Sequence, residues 1–225
     1  AERLHQFDIG FRADYGYIRG GFSGFFSWVS DYITYAAIGT DQKGIAPAGF
    51  GNFLSVQFVN TSLATLWGTE AYIEMDYNDY ITPFFTLVYV EGQDQTRTST
   101  RGQVDLAGFP IIVNGAPLPN PDREPLPSIS PMDVRVGLRL HEAGKNPTYG
   151  VEFSSRIVAP QFRVAASLLE QTTPGFTVFD LRAYWQAREG ILLTGGIENI
   201  FDRNYREHLD LLTGLGVFQP GRNIY

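Results

Sequence analysis

The residues able to carry acid–base or metal chemistry are spread thinly along this chain. Its three histidines are His5, His141 and His208, and none has a partner at metal-ligand spacing. There is no cysteine, so no thiolate site or disulfide can form. The sequence predicts no catalytic set, no metal site and no cofactor, and hence a protein that is not an enzyme.

A larger group of ionisable residues occupies alternate positions of extended segments. In Asp133–His141 every even position is Val or Leu, and every odd position is charged, His or Gly. Segments 148–157 and 179–186 alternate in the same way. Successive strand residues point to opposite faces of a sheet, so these charges are expected to share one face. The predicted residues of a polar lumen or substrate path are Arg135, Arg139, Glu152, Arg156, Asp180, Arg182 and Glu198.

These charges also have simpler explanations. A water-filled interior needs polar walls whatever passes through it. Some of the charges, such as Asp180 or Glu152 with neighbouring arginines, are expected to form cross-strand ion pairs, which contribute little when solvated. A further candidate is the loop segment Arg206, Glu207 and His208, which could contact a ligand or instead hold a strand–loop junction.

Composition favours a protein made of half-exposed strands. Aromatic residues make up 14% of the 225 residues, charged residues 18%, and there are 24 glycines. Aromatic side chains suit a pleated surface, and glycines serve turns and bulges. The net charge of −7 argues against a nucleic-acid partner. The N-terminus lacks the layout of a signal peptide, so we expect that a signal has been removed or that the chain begins within a larger protein.

The connections separate the possible architectures better than the strands do. Nine strands are predicted, at about 4–15, 18–37, 50–77, 80–92, 131–141, 147–158, 175–187, 190–201 and from 217 onward. The third is expected to contain an irregularity at 60–62. Short turns near 15–17, 78–79, 142–146 and 188–190 alternate with long connections at 39–49, 93–130, 159–173 and 202–216. That alternation is typical of a transmembrane barrel with tight periplasmic turns and long external loops.

An odd number of strands indicates a partial barrel. A single-chain bacterial barrel is closed and has an even number of strands, because an open edge in lipid leaves backbone groups unpaired. The connection 93–130 is rich in proline and carries an apolar patch at 109–113. Connections of that length are usually functional or disordered, and this one is expected to lie over the barrel mouth.

Several short motifs, in order along the chain, resemble TonB-dependent outer-membrane receptors. The matching segments are SDYI (30–33), 60–70 with GTE at its end, TPGFT (173–177), GIENIFDRNY (196–205), EHL (207–209) and PGR (220–222). The motif residues expected to be structural are Asn199, Phe201, Asp202, Tyr205, Pro220, Gly221 and Arg222.

This resemblance implies a 22-stranded antiparallel up-and-down β-barrel plugged by an N-terminal domain. Residues 1–225 would be its C-terminal portion, without the plug domain, in the outer membrane of a Gram-negative bacterium. The implied partners are the outer-membrane lipid, the plug and remaining strands, a small-molecule ligand such as an iron–siderophore complex, and the TonB–ExbB–ExbD complex acting through the plug. The family also continues several residues beyond the PGR motif to a terminal aromatic residue.

Two other classes of protein remain open at the level of sequence. A small autonomous outer-membrane barrel enzyme, of the protease or phospholipase type, would need a Ser/His or Asp/His set near its outer rim. A soluble β-sandwich binding module would show the same period-2 alternation.

Overall fold

A computed structural model describes most of the chain. The described residues are 1–41, 53–95, 112–113, 116–117, 123–144, 146–165, 170–210 and 218–225. The apolar patch predicted at 109–113 lies largely outside these residues. In the described part, no helix is long and apolar enough to span a membrane.

The described residues form an all-β structure. Its strands are β1 Arg3–Asp14, β2 Ile18–Asp41, β3 Phe53–Met75, β4 Ile81–Asp94, β5 Ile112–Val113, β6 Ala116–Pro117, β7 Glu124–Pro125, β8 Asp133–His141, β9 Tyr149–Val158, β10 Phe176–Arg188, β11 Ile191–Glu198 and β12 Asn223–Ile224. The eight long strands follow the predicted ones closely. The connection after β4 differs from the prediction, because it contains short strands: β7 pairs with the end of β4, and β5 pairs with β6.

Apart from β5 and β6, which pair with each other, the described strands form one open antiparallel sheet with an up-and-down order. Its order is β1-β2-β3-β4-β8-β9-β10-β11-β12, with β7 beside β4. Each long strand pairs antiparallel with the next one, so successive connections lie at alternate ends of the sheet. The short turns therefore share one end and the long connections share the other. The predicted all-β, partial-barrel fold is confirmed.

The two faces of this sheet differ in chemistry. One face, called here the apolar face, carries large exposed hydrophobic side chains: Phe7, Ile9, Phe11, Phe22, Trp28, Trp67, Val136, Leu138, Leu140, Val151, Phe153 and Trp185. The other, the polar face, carries the charged residues of the alternating segments. An exposed apolar face on a single sheet is typical of lipid contact and does not fit a soluble sandwich, which would bury it.

Glycines on the polar face allow aromatic rings to lie flat across the strands. Gly137 lies directly opposite Phe84, and a Cβ atom at Gly137 would lie 2.5 Å from the Phe84 ring. The same direct pairing of glycine and aromatic residue joins Gly21 to Tyr72, Gly68 to Phe25 and Gly150 to Tyr184. Such pairs fix the register between neighbouring strands.

The predicted irregularity at 60–62 coincides with a break in the pairing of β2 with β3. Asp31 and Ser62 are skipped in the register, and Asp31 has a left-handed φ of 56°. The alternation of side chains between the two faces reverses there. Ala64 and Thr61 are three positions apart, and both are buried. The Asn60 amide donates to the Asp31 carbonyl over 2.8 Å, which satisfies a carbonyl that the distortion removes from the ladder.

The last strand is shorter than predicted. Pairing with β11 is limited to Asn223 and Ile224, supplemented by backbone bonds between Tyr225 and Gly196. The residues just before it do not pair with β11. Pro220 has no N–H to donate, and the Arg222 N–H donates to the Asp202 carboxylate over 2.8 Å.

Candidate functional site

The polar face carries a continuous ionic chain near the short-turn end. Arg139 on β8 bridges Glu152 on β9 at 2.8 Å and Glu74 on β3 at 2.6 Å. Glu74 also lies 3.6 Å from Arg19 on β2, and Arg19 bonds Asp76 at 2.6 Å. One row of alternating charge thus joins β2, β3, β8 and β9 across β4, and each arginine in it contacts two carboxylates.

Asp76 receives further hydrogen bonds in this cluster. The Thr82 hydroxyl donates to it over 2.8 Å and also lies 3.0 Å from Nε2 of His141. Bonds from Arg19 and Thr82 hold the pKa of Asp76 below its ordinary value. His141 therefore belongs to the edge of this ionic chain, at the end of β8.

A second cluster lies closer to the long connections. Arg156 contacts Asp133 at 2.7 Å and Glu207 at 2.6 Å, so it links β8 and β9 to the connection after β11. Its guanidinium also lies 5.4 Å from the centre of the Phe176 ring. Glu207, predicted as a possible ligand contact, here holds the loop onto the polar face.

A third cluster centres on Arg182. It lies 3.3 Å from Glu198 and 3.9 Å from Asp180. Asp180 is buried and accepts the Asn199 N–H over 3.0 Å. Arg135 and Arg206, by contrast, form no ion pair with any residue in the described part of the chain.

Residues of the first and third clusters line a cavity against the polar face. It has a volume of about 1000 Å³, and its lining includes Arg19, Asp76, Arg139, Glu152, Arg182 and Tyr184. The three clusters contain both signs of charge and are largely paired among themselves. A surface of this kind can bind a hydrated polar ligand or a protein segment through hydrogen bonds, without a strong preference for one sign of charge.

Alternation predicted that the seven polar-face charges share a surface, but it did not single out Arg19, Glu74 and Asp76. The signal was present, since Glu74 and Asp76 alternate with apolar residues in the segment 70–77. Among the residues that the structure describes, no group of three His, Asp or Glu side chains could hold a metal ion.

The motif around Asn199 forms the turn that ends β11. Asn199 has a left-handed φ of 50°, and its side chain exchanges hydrogen bonds of 2.9 Å with both backbone groups of Arg203. Asp202, with φ of 54°, accepts from the Arg222 N–H and so ties this turn to the last strand. Asn and Asp tolerate this backbone region better than other residues with side chains.

Aromatic members of the same motif pack on opposite faces. Phe201 packs edge to face against Phe179, with 5.3 Å between the ring centres, and it is 68% exposed. The ring centres of Tyr205 and Phe176 are 4.3 Å apart, and both residues belong to a small core with Val158 and Val178. Burial raises the pKa of the Tyr205 hydroxyl.

His208 is buried between two long connections. Its Nε2 lies 3.3 Å from Glu170, and its Nδ1 lies 3.0 Å from the Thr173 hydroxyl. Glu170 also accepts the backbone N–H of Ser128 over 2.7 Å and that of Ala165 over 2.6 Å. Glu170 therefore joins the three connections that precede β8, β10 and β12, a role that no local sequence signal indicated.

Together, the open up-and-down sheet, its exposed apolar face and its ionic polar face define an outer-membrane type β-barrel segment. The profile of the family described as "TonB dependent receptor-like, beta-barrel" matches residues 1–200. The chain belongs to this family, as its motifs predicted. No curated protein matches the chain.

Solved structures of several transport proteins share this fold over 99% of the chain. The copper transporter OprC is 24% identical, with a TM-score of 0.73. The FrpB iron transporter from Neisseria meningitidis (F3-3 variant) is 15% identical, with a TM-score of 0.63. The siderophore receptor PirA from Acinetobacter baumannii is 16% identical, with a TM-score of 0.56. The chain spans 30%, 30% and 31% of these proteins respectively.

Proposed function

We propose that this chain is the C-terminal barrel portion of an outer-membrane receptor for active uptake of a scarce nutrient. The family match over residues 1–200 carries this proposal. The exposed apolar face supports it, because such a face is stable only in contact with lipid or a covering partner. The localisation is accordingly the outer membrane of a Gram-negative bacterium.

The remaining strands of a 22-stranded barrel and an N-terminal plug domain complete the receptor in this proposal. Ligand binds from outside to the long connections and the plug, and the TonB–ExbB–ExbD complex acts on the plug to open a path. The paired charges around Arg139, Arg156 and Arg182 line this path or contact the plug. Neither role requires catalysis, so the protein acts as a transporter and not as a hydrolase.

An iron–siderophore complex is the substrate that we propose first. Proteins of similar fold are named as an iron transporter and a siderophore receptor. Copper is the second candidate, since the similar structure with 24% identity is a copper transporter. The internally paired polar face fits either a hydrated complex or a metal ion in transit.

Uptake by cells tests both substrates. The gene that encodes this chain is disrupted, and uptake of isotope-labelled copper and of labelled iron supplied as siderophore complexes is measured under metal limitation. We expect the uptake of one of them to fall and to return with the intact gene, but not in cells lacking TonB. Unchanged uptake of both metals would contradict the proposed substrates, and TonB-independent uptake would contradict the energisation.

A further inference from the structure

A groove on the apolar face has a composition unlike the rest of that face. It has a volume of about 380 Å³ and is lined by Phe26, Trp28, Leu63, Thr65, Trp67, Gln93 and Gln95. Trp28 and Trp67 are 44% and 41% exposed, so their rings are open to a ligand. Three polar side chains lie beside these rings, on the face that otherwise carries large hydrophobic residues.

The polar side chains of the groove form a connected row. The Gln95 amide donates to the Thr65 hydroxyl oxygen over 2.7 Å and to Oε1 of Gln93 over 3.3 Å. Gln93 in turn donates to Glu91 over 3.3 Å. This leaves the Thr65 hydroxyl proton, one Gln93 N–H and Oε1 of Gln95 without partners among the described residues. The groove therefore offers two donors and one acceptor next to two indole rings.

The charge beside the groove is already balanced. Arg163 lies 3.3 Å from Glu91, bonds the Tyr89 hydroxyl and stacks 4.9 Å from the centre of the Tyr89 ring. Among the described residues, no unpaired cation lies beside the groove to bind an anion. The groove instead fits a neutral group that combines hydroxyls with an apolar ring face, which is the chemistry of a sugar.

The height of the groove along the barrel wall fits the edge of the apolar band. Trp28 lies ~10 residues above the start of β2, which corresponds to about 25 Å of height at a strand tilt of 35–45°. The same estimate puts Gln93, ~12 residues above the start of β4, at about 30 Å. An outer-membrane band is about 25 Å tall, so the rings lie at its external boundary and the amides just beyond it.

From these observations we propose that the groove binds the sugar headgroup of a glycolipid in the outer leaflet. The sugar ring stacks on Trp28 and Trp67, its hydroxyls bond Thr65, Gln93 and Gln95, and its acyl chains continue along the apolar face below. The occupant is a lipid because the groove is continuous with that face. This inference rests on the proposed membrane location, but it does not depend on nutrient transport.

Lipid retention by the complete protein that contains this chain tests the proposal. The protein is reconstituted in nanodiscs that contain equal amounts of a neutral glycosyl diacylglycerol and phosphatidylethanolamine, and retained lipids are counted by native mass spectrometry. We expect the glycosyl diacylglycerol to be retained preferentially. Trp67→Leu and Gln95→Leu should each lower this retention about fivefold, as expected for loss of one stacking or hydrogen-bonding contact.

Trp185→Leu is the matched control, because Trp185 lies on the same face near the short-turn end and is 54% exposed. An equal loss in this variant would show a general aromatic belt and overturn the proposal. Equal retention of the two lipids by the wild-type protein would also overturn it, whether or not the variants fold. The uptake measurement is separate, so lipid retention without uptake would contradict only the transport function.

Discussion

Among single residues, Asn199 combines an unfavourable backbone conformation with hydrogen bonds that hold the turn after β11. It is buried, it adopts a left-handed backbone, and its amide satisfies both backbone groups of Arg203. Asn199→Ala removes these bonds while keeping the unfavourable φ. We expect the free energy of unfolding to fall by about 1–3 kcal/mol.

Denaturant unfolding of the complete protein in detergent measures this change. Asn204→Ala is the control, because Asn204 is exposed in the same loop and forms no side-chain hydrogen bond with the described residues. It should change stability by no more than about 0.5 kcal/mol. Equal effects of the two substitutions would show that the Asn199 bonds are not what stabilises the turn.

Glu142 makes the stability of a short turn depend on pH. Its carboxylate accepts the hydroxyl of Thr148 over 2.6 Å and the Thr148 N–H over 2.9 Å, and these bonds lower its pKa. A lowered folded-state pKa stabilises the fold above the ordinary pKa of Glu, and this contribution is lost as pH falls through the folded pKa. Glu142→Gln should therefore lower the Tm at pH 7.

The same variant should differ less from the wild type at about pH 3, because the stabilisation by the ionised Glu142 carboxylate begins to be lost as pH falls below the ordinary pKa of Glu. Glu189→Gln, in the exposed turn between β10 and β11, is the control, because the Glu189 carboxylate accepts no hydrogen bond from the described residues, and its Tm should stay close to that of the wild type. A Tm difference for Glu142→Gln that is the same at both pH values would rule out the carboxylate as its cause.

The sequence predicted which charged side chains lie together on the polar face, but it did not predict the contacts that side chains make in the long connections. Alternation is a local property, so Arg139, Arg156 and Arg182 could be assigned to one face before the pairing was known. Which carboxylate each arginine contacts depends on register, which the sequence does not fix over such lengths. Glu170 carries no local pattern, because its partners come from connections distant in sequence.

At the level of strands, the glycine–aromatic pairs set the register of the sheet. A methyl group at Gly137 would lie 2.5 Å from the Phe84 ring and 2.8 Å from the Phe153 carbonyl. Phe84 also supports Arg139, whose guanidinium lies 4.4 Å from its ring centre. We expect Gly137→Ala to destabilise the protein by about 1–3 kcal/mol, as overpacking does.

Urea unfolding in lipid vesicles measures this effect. Gly10→Ala on β1 is the control, because the nearest atom to its added methyl lies 3.6 Å away. Combining Gly137→Ala with Phe84→Leu should recover part of the loss, since the smaller side chain makes room. No recovery would indicate that the Phe153 carbonyl, and not the ring, is the limiting contact.

The long connections are expected to act as one unit through Glu170. This residue joins Ser128, Ala165 and His208, and Gln161 adds a 2.7 Å bond to the carbonyl of Ile129. Glu170→Ala leaves the buried His208 without its carboxylate. Hydrogen exchange should then become faster in peptides from all three connections, by about tenfold or more for a loss of 1–2 kcal/mol.

Gln171→Ala provides the comparison for this experiment, because Gln171 is exposed and makes no hydrogen bond within the described residues. It should leave exchange unchanged in the connections before β8 and β12. Faster exchange confined to 159–175 in the Glu170 variant would contradict the joint role and indicate a purely local contact.

For the molecule as a whole, the unpaired outer edge of β1 bears on whether the chain can form a closed barrel by itself. No described strand pairs with this edge, and its twelve residues alternate between apolar and polar faces. An unpaired edge is unfavourable in lipid. We expect the 225-residue chain, expressed alone and refolded in detergent, to give no heat-modifiable closed monomer on gel electrophoresis.

Joint refolding with the remaining strands of the receptor should restore such a monomer. A stable closed barrel from this chain alone would contradict the proposed 22-stranded receptor. The Gly10→Ala variant leaves the backbone pairing of β1 unchanged, so it should refold as the wild type does.

The up-and-down order of the sheet also bears on how the protein assembles. Every strand pair in it joins elements that are neighbours along the chain, apart from the small insertions after β4. Such pairs close much shorter loops than the joining of the two ends of a barrel, so they are expected to form first. In the proposed up-and-down barrel, β1 pairs with the strand that precedes it in the receptor, so only the pairing of the last strand, β12, with the first strand of the barrel spans a long loop. That closure is therefore the step at which folding should be slowest, and at which an assembly factor would have the most effect.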